Sequence, residues 1–366
     1  MNRNNTQPNA RDIHTAAHRT EDEKIGNSLP SATFPLRVGF IGAGKAGTSF
    51  GKYIATRIEE RGDSRIRLSG YFSRSEDSAK SAAKLTGSAY FATSDLLADA
   101  CDLVFFSVPD GEIEHAFANL IDRCSESMTN LEGKMFAHLS GSRPSDIFRS
   151  VWSSAPQDDR SQPPKSERLD SELCVFSLHP ACAIPNRETA WNHLREACFV
   201  FEGDSSARRR SDALLELIGN PVGEIHPNKK ALYHAACVFL SNFSVALAAE
   251  GVALLASCGI DSDISSGFLR TLFLGNAENV AKCGPTASLT GPAERGDAGT
   301  IQKHREAISD LEDEVVSRIY RDLTEILLRI AREKHPTRDY TLAFEAIGNS
   351  SEIAEASFVK PPKSVR

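Results

Sequence analysis

From Leu36 onward the chain alternates short apolar runs with helical periods, the pattern of a parallel sheet joined by crossover helices. A strand at Arg37–Ile41 runs into a glycine turn. The helix after it sets Ala46, Phe50, Ile54 and Ile58 four apart on one face, and Gly62 stops it. Further strands are expected at 66–72, where Ile66, Leu68, Gly70 and Phe72 alternate, and at 89–91. The unbroken run 103–108 reads as a central strand buried on both faces. Ser94 is placed to cap the helix before it. Four more strands, at 134–139, 175–178, 198–201 and 222–225, carry the sheet to about residue 226.

After Pro227 the pattern changes to long helical periods, broken at Gly259 and across 284–299, with no strand signal. The last long helix is expected from about Ala298 towards Arg332, with Asp297 as its N-cap. The chain therefore reads as an α/β domain with a parallel sheet over 36–226, followed by an all-α domain over 227–345. Residues 1–35 are polar and expected to be disordered, and 346–366 form a loose tail. Within the sheet domain, 153–171 are too rich in proline, serine and charge to support a core, which predicts a disordered insertion. The stretch Ala235–Ala256 is apolar enough to raise a membrane question. Ser241, Asn242, Ser244 and Glu250 interrupt it, and the preferred expectation is a buried central helix of a soluble domain.

Composition narrows the function classes. A length of 366 residues suits two domains, and 40% hydrophobic with 25% charged residues is ordinary for a soluble globular chain. The net charge of -7 offers no basic field for phosphate backbones, so nucleic acid is not an expected partner. The eight cysteines are scattered, with no C-x-x-C pair and no Cys/His cluster, which predicts free thiols in a reducing cytoplasm and no metal site.

The chemistry begins at Gly42-Ala43-Gly44-Lys45-Ala46-Gly47, between a strand and an amphipathic helix. The first glycine permits a tight turn, the second lets backbone approach a pyrophosphate, and the third lets helix and strand pack closely. The helix N-terminus offers N–H groups to phosphate. This is the dinucleotide turn of a Rossmann domain. At the second strand's end, where an NAD site usually carries an acid, stand Ser73-Arg74-Ser75. A cation and two hydroxyls suit a 2′-phosphate, so NADP is expected and NAD is possible, with Glu76 as the ribose ligand in the second case. Val108-Pro109-Asp110 end the central strand at the carboxyl edge, beside the expected nicotinamide.

Two more strand ends open on that edge, His138-Leu139-Ser140-Gly141-Ser142 and Ser177-Leu178-His179-Pro180. Ser140 and His179 are 39 positions apart but 20 without the insertion, one strand-helix-strand step. In the helical domain Lys230, His234 and Ser241 fall within about 40° of one another at roughly 100° per residue, with Asn242 at the stripe's edge. A lysine or histidine there could exchange a proton with a substrate C=O or C=N. In Thr290-Gly291-Pro292-Ala293-Glu294-Arg295-Gly296-Asp297, Arg295 could hold a substrate carboxylate, with Ser142 and Ser241 as further substrate contacts.

Together the glycine turn, H-L-S-G-S, S-L-H-P, K-x-x-x-H-x-x-x-x-x-x-S-N and T-G-P-x-x-R-G-D resemble Rossmann-like oxidoreductases that carry a C-terminal helical domain of unknown function. That group is similar in plan to prephenate dehydrogenase, pyrroline-5-carboxylate reductase and 6-phosphogluconate dehydrogenase-like enzymes. The resemblance implies NADP-dependent hydride transfer with a small, carboxylated carbonyl, imine or alcohol, and a homodimer formed through the helical domain. It implies Ser140, His179, Lys230, His234 and Asn242 as catalytic candidates. A prephenate-type serine would map onto Ser140 or Ser142 and its H-P histidine onto His179. Their H-P-M-A-G is His179-Pro180-Ala181-Cys182-Ala183 here, a departure that leaves the substrate open. A non-catalytic NADP(H) sensor is the alternative from another class.

Overall fold

A computed structural model describes residues 35–154 and 173–348. The expected lead-in up to residue 34, residues 155–171 of the expected insertion and the tail from 349 lie outside the described residues; Ser153 and Ser154, expected in the insertion, and Ala346, expected in the tail, are helical instead. Eight strands form one sheet: β1 Leu36–Ile41, β2 Ile66–Phe72, β3 Ala89–Tyr90, β4 Leu103–Phe106, β5 Met135–His138, β6 Cys174–Pro180, β7 Phe199–Gly203 and β8 Val222–Glu224. Their order is β3-β2-β1-β4-β5-β6-β7-β8.

The first six strands are parallel, but β7 runs antiparallel to β6, and β8 follows β7. The sheet is thus mostly parallel, as expected, with one antiparallel pairing between β6 and β7. The segment between β6 and β7 holds only the 3-10 turn Ala190–Arg195 among its regular structure. With no crossover helix to carry the chain back, β7 returns alongside β6 in the opposite direction.

Helices α1 Lys45–Arg61, α2 Glu76–Thr86, α6 Ser205–Arg210 and α7 Asp212–Ile218 pack on one face of the sheet. On the other lie α3 Ser94–Asp99, α4 Ile113–Ser127 and α5 Ile147–Ser154. Alternation along β4 feeds both layers. Phe105 packs 5.4 Å from the rings of Phe40 and Phe50, and Phe106 lies 5.2 Å from Phe148. Gly62 ends α1 in the left-handed conformation at φ 59, as expected. The N-cap position of α3 falls to Thr93, and Ser94 is its first helical residue.

The chain divides into two compact units between Lys230 and Ala231. The helices from there are α8 Lys230–Leu240, α9 Asn242–Ser257, α10 Ser262–Phe268, α11 Gly275–Cys283, α12 Pro285–Ser288, α13 Pro292–Arg295, α14 Ala298–Ser309, α15 Glu314–Lys334 and α16 Thr341–Ala346. A π-helical stretch, Leu269–Leu274, joins α10 to α11. Ile301, Leu328, Tyr340 and Phe344 form the second unit's core.

Two expectations are corrected here. The single helix from Ala298 to Arg332 is two, because Glu312 turns the chain at φ 53 and Asp313 starts a new helix by accepting from Val315 N and Val316 N. The apolar stretch of α8 and α9 is not a buried central helix: Lys230 is the one buried residue of α8, and α9 has none. By length and composition Pro227–Ser257 could cross a membrane.

Phe105 touches three other aromatic rings of the first unit and is 0% exposed. Phe105→Ala is expected to destabilise that unit by about 3–5 kcal/mol in urea titration. A loss below about 1 kcal/mol would show that the layer refills the cavity.

Candidate functional site

The glycine turn closes against the end of β4. Gly42 has φ +103, and a Cβ there would lie 2.6 Å from Ser107 O. A Cβ on Gly47 would lie 2.0 Å from Ser107 Oγ, so the third glycine is required by packing. Gly44 differs. Among the described residues its Cβ position has only Ser107 O within 4 Å, at 3.8 Å, so none of them demands glycine there. The space it leaves lies at the start of a 17-residue helix with no side-chain cap and no acid in its first turn. Open space beside uncapped N–H groups fits a phosphate.

Gly42, Ala43 and Gly44 line a cavity of about 390 Å³, together with Ser73, Arg74, Val108 and Pro109. Seven of the twelve expected cofactor residues therefore share one cavity. Arg74 is 82% exposed at its mouth, 3.6 Å from Glu112. Lys45, Ala46 and Gly47 belong to the first turn of α1 instead of the wall. Ser75 stands apart from that wall: its hydroxyl accepts from Ser78 N as the N-cap of α2. Glu76 pairs with Lys80 on the same helix. The sequence reading missed Asn119 and Arg123, contributed to the wall by α4.

Asp110 is engaged by two of the substrate-side candidates. Its Oδ2 accepts from Ser140 Oγ at 2.7 Å and from Ser142 Oγ at 2.8 Å. Ser140 Oγ also accepts from Ser142 N and Arg143 N. The one Ser140 hydroxyl proton is thus committed to Asp110, and Ser140 organises a turn instead of offering a free donor. His179 stands at the end of β6, adjacent to β5, half-buried. The strand ends named in the sequence are brought together.

Below them lies a buried polar row that sequence reasoning passed over. In register across three strands stand His138, Ser177 and Glu202, each at most 1% exposed. Ser177 Oγ donates to Glu202 Oε2 at 3.0 Å. Glu202 also accepts from Ser145 N at 2.9 Å and Ser145 Oγ at 2.8 Å. His138 Nδ1 accepts from Ser140 N, so its Nε2–H faces Pro144 O and the ring is neutral. Burial, then the charge of Lys230, pushes its pKa down to about 3. The available signal was one polar residue set inside each apolar strand, as in C-V-F-S-L and F-V-F-E-G.

Lys230 corrects the polar-stripe expectation. It is 1% exposed, and its Nζ donates to Ser140 O at 2.8 Å and Ser177 Oγ at 2.9 Å. The helix that was to carry the stripe breaks at Ser241, whose hydroxyl donates to Cys237 O and Asn242 Oδ1. Ser241 and Asn242 are exposed and His234 is half-buried. Arg295 ends α13, exposed, while Asp297 caps α14 as expected by accepting from Thr300 N.

Residues 197–326 match the family described as "Domain of unknown function (DUF2520)". The likeness drawn from the motifs holds. No curated protein matches the chain. Among solved structures, the chain is similar to a protein of Thermotoga maritima at 24% identity and TM-score 0.59, covering 81% of this chain and 99% of that one. A candidate NADP oxidoreductase of Bacteroides fragilis aligns at 20% identity and TM-score 0.56, over 80% and 98%. An imine reductase of Pseudomonas sp. aligns at 13% and 0.51, over 86% and 99%. At these identities the likeness is one of fold: a Rossmann-like sheet domain followed by helices.

The neutral His138 gives the first unit an acid limb. An imidazole in the unfolded chain protonates below about 6.5, and the folded one only near 3. Its contribution is whole above that window and is lost as pH falls through it, at up to about 1.4 kcal/mol per pH unit. His138→Asn is expected to flatten stability against pH between 6.5 and 4. An unchanged slope in denaturant titrations would show that other groups set it.

Proposed function

We propose that this protein is an NADP-dependent oxidoreductase moving hydride to or from a small, carboxylated carbonyl, imine or alcohol. The observation that carries the reading is Gly44: a glycine the protein's own packing does not need, at an uncapped helix start, on a cavity whose mouth holds Ser73 and Arg74. Backbone N–H groups at Gly44–Ala46 would hold the pyrophosphate and Arg74 the 2′-phosphate. When bound, the nicotinamide supplies or accepts the hydride.

The chain's own residues supply the rest. Ser142 and His179 at the ends of β5 and β6 orient substrate, and Asp110 holds Ser140 and Ser142 in place. Because the Lys230 ammonium already donates to Ser140 and Ser177, proton exchange is assigned to His234, an imidazole able to give or take a proton. Ser241 and Asn242, at the break between α8 and α9, are further polar candidates, and Arg295 is the carboxylate clamp.

The cofactor is tested by binding. NADPH at millimolar concentration is expected to raise the melting temperature of the wild-type chain, and Arg74→Ala to weaken NADPH at least about tenfold while leaving NADH unchanged. Equal losses for both would overturn the 2′-phosphate role. No shift from either dinucleotide would overturn the oxidoreductase.

The second unit supports a homodimer. Phe239, Leu240, Leu247, Leu255, Phe268 and Leu272 line a groove of about 820 Å³ in that unit, and Leu240 and Leu272 are 85% and 65% exposed. Apolar surface so continuous calls for a partner, and a second copy is the simplest one. Sedimentation is expected to show a dimer that Leu240→Asp converts to monomer. A monomeric wild type would leave this face to another partner or to a membrane.

A further inference from the structure

The row beneath the strand ends contains two charged side chains that the reaction itself does not use. Glu202 is 1% exposed on the reversed strand β7, and Lys230 is 1% exposed at the start of α8. Burying either charge alone costs several kcal/mol or more. One hydroxyl links them. Ser177 Oγ accepts from Lys230 Nζ at 2.9 Å and donates its only proton to Glu202 Oε2 at 3.0 Å. The antiparallel turn of β7 makes this possible, since it sets Glu202 directly opposite Ser177.

Each end of the bridge grips a different part of the candidate site. Lys230 donates to the carbonyl of Ser140, whose hydroxyl is bound to Asp110. Glu202 holds Ser145 through both its N–H and its hydroxyl, three residues after Ser142. The turn 140–145 is therefore pinned at its start by the ammonium and at its end by the carboxylate. His138 completes the frame from β5, accepting from Ser140 N and facing Pro144 O.

We propose that Glu202 is a positioning residue: through Ser177 it supplies the buried negative charge that keeps Lys230 an ammonium, and the pair fixes the 140–145 turn at the substrate end of the site. The inference builds on the reading of that end as the place of reaction, and its test does not depend on it. Besides Lys230, the charges that act on His138 are those of Asp110, after β4, and Arg143, in the turn itself, and His138 stays neutral. Glu202 reaches Lys230 through a hydroxyl whose single proton points at the carboxylate.

The experiment follows the side-chain ammonium of Lys230 by NMR in full-length protein labelled with ¹⁵N-lysine, assigned by its loss in Lys230→Met. In the wild type a protected ammonium signal is expected at neutral pH. In Glu202→Gln, which keeps the shape and removes the charge, the signal is expected to vanish at pH 7 and return only at least about one pH unit lower. Glu202→Asp, which retains the charge, should restore it. Ser177→Ala leaves a smaller hole and should shift the signal in the same direction; should Glu202→Gln fail to fold, this variant decides. A Lys230 ammonium signal unchanged in Ser177→Ala, and in Glu202→Gln where that folds, overturns the proposal. NADPH binding to the wild type, read separately, tests the cofactor site alone.

Discussion

The close approach of the glycine turn to Ser107 is the constraint on which the rest of the first unit is arranged. Ser107 Oγ donates to Gly42 O at 2.8 Å, and the same residue occupies the space that side chains on Gly42 and Gly47 would need. One residue past the end of β4 thus fixes both the entry and the exit of the turn. The axis of α1, the floor of the cavity and the course of Val108-Pro109-Asp110 follow from that contact. Asp110 then reaches Ser140 and Ser142, so the same contact also locates the end of β5.

A second layer of constraint is polar and buried. A row of histidine, serine and glutamate inside a sheet otherwise built from Phe, Val and Leu is a poor way to gain stability, because well-packed apolar residues of the same volume often do as well or better. Its geometry does something apolar packing could not. Glu202 accepts from Ser145 N and Lys230 donates to Ser140 O, and directional bonds hold a turn in one conformation where dispersion contacts would allow several. The reversal of β7 is what delivers the carboxylate to that place.

Most of the sheet could be read from the chain, because its inner strands are short apolar runs between turn residues, buried on both faces. The direction of β7 could not, since hydrophobicity carries no sign along a strand. The glycine turn was legible because each of its roles is local. Lys230 was misplaced for the opposite reason: helical periodicity assigns a residue to a face, whereas a long flexible stem carries its charge to a carbonyl 90 positions away in sequence. Ser140 was recognised as polar at a strand end, but only long-range geometry shows that its proton belongs to Asp110. Ser75 and Ser94 show the limit of capping rules, which place a cap to within a residue or so and leave open which hydroxyl has a ligand to meet.

The apolar helices of the second unit present the remaining tension. A helix that is hydrophobic nearly all round is normally enclosed, and sequence periodicity alone favours that outcome for α8 and α9. The described residues do not enclose them: Phe239, Leu240 and Val245 are all more than half exposed. Leaving such a surface in water loses the free energy that burial elsewhere in the fold supplies, roughly 25 cal/mol for each Å². If a second copy covers this face, as proposed, an isologous contact sets the same groove of each copy against a surface of matching chemistry.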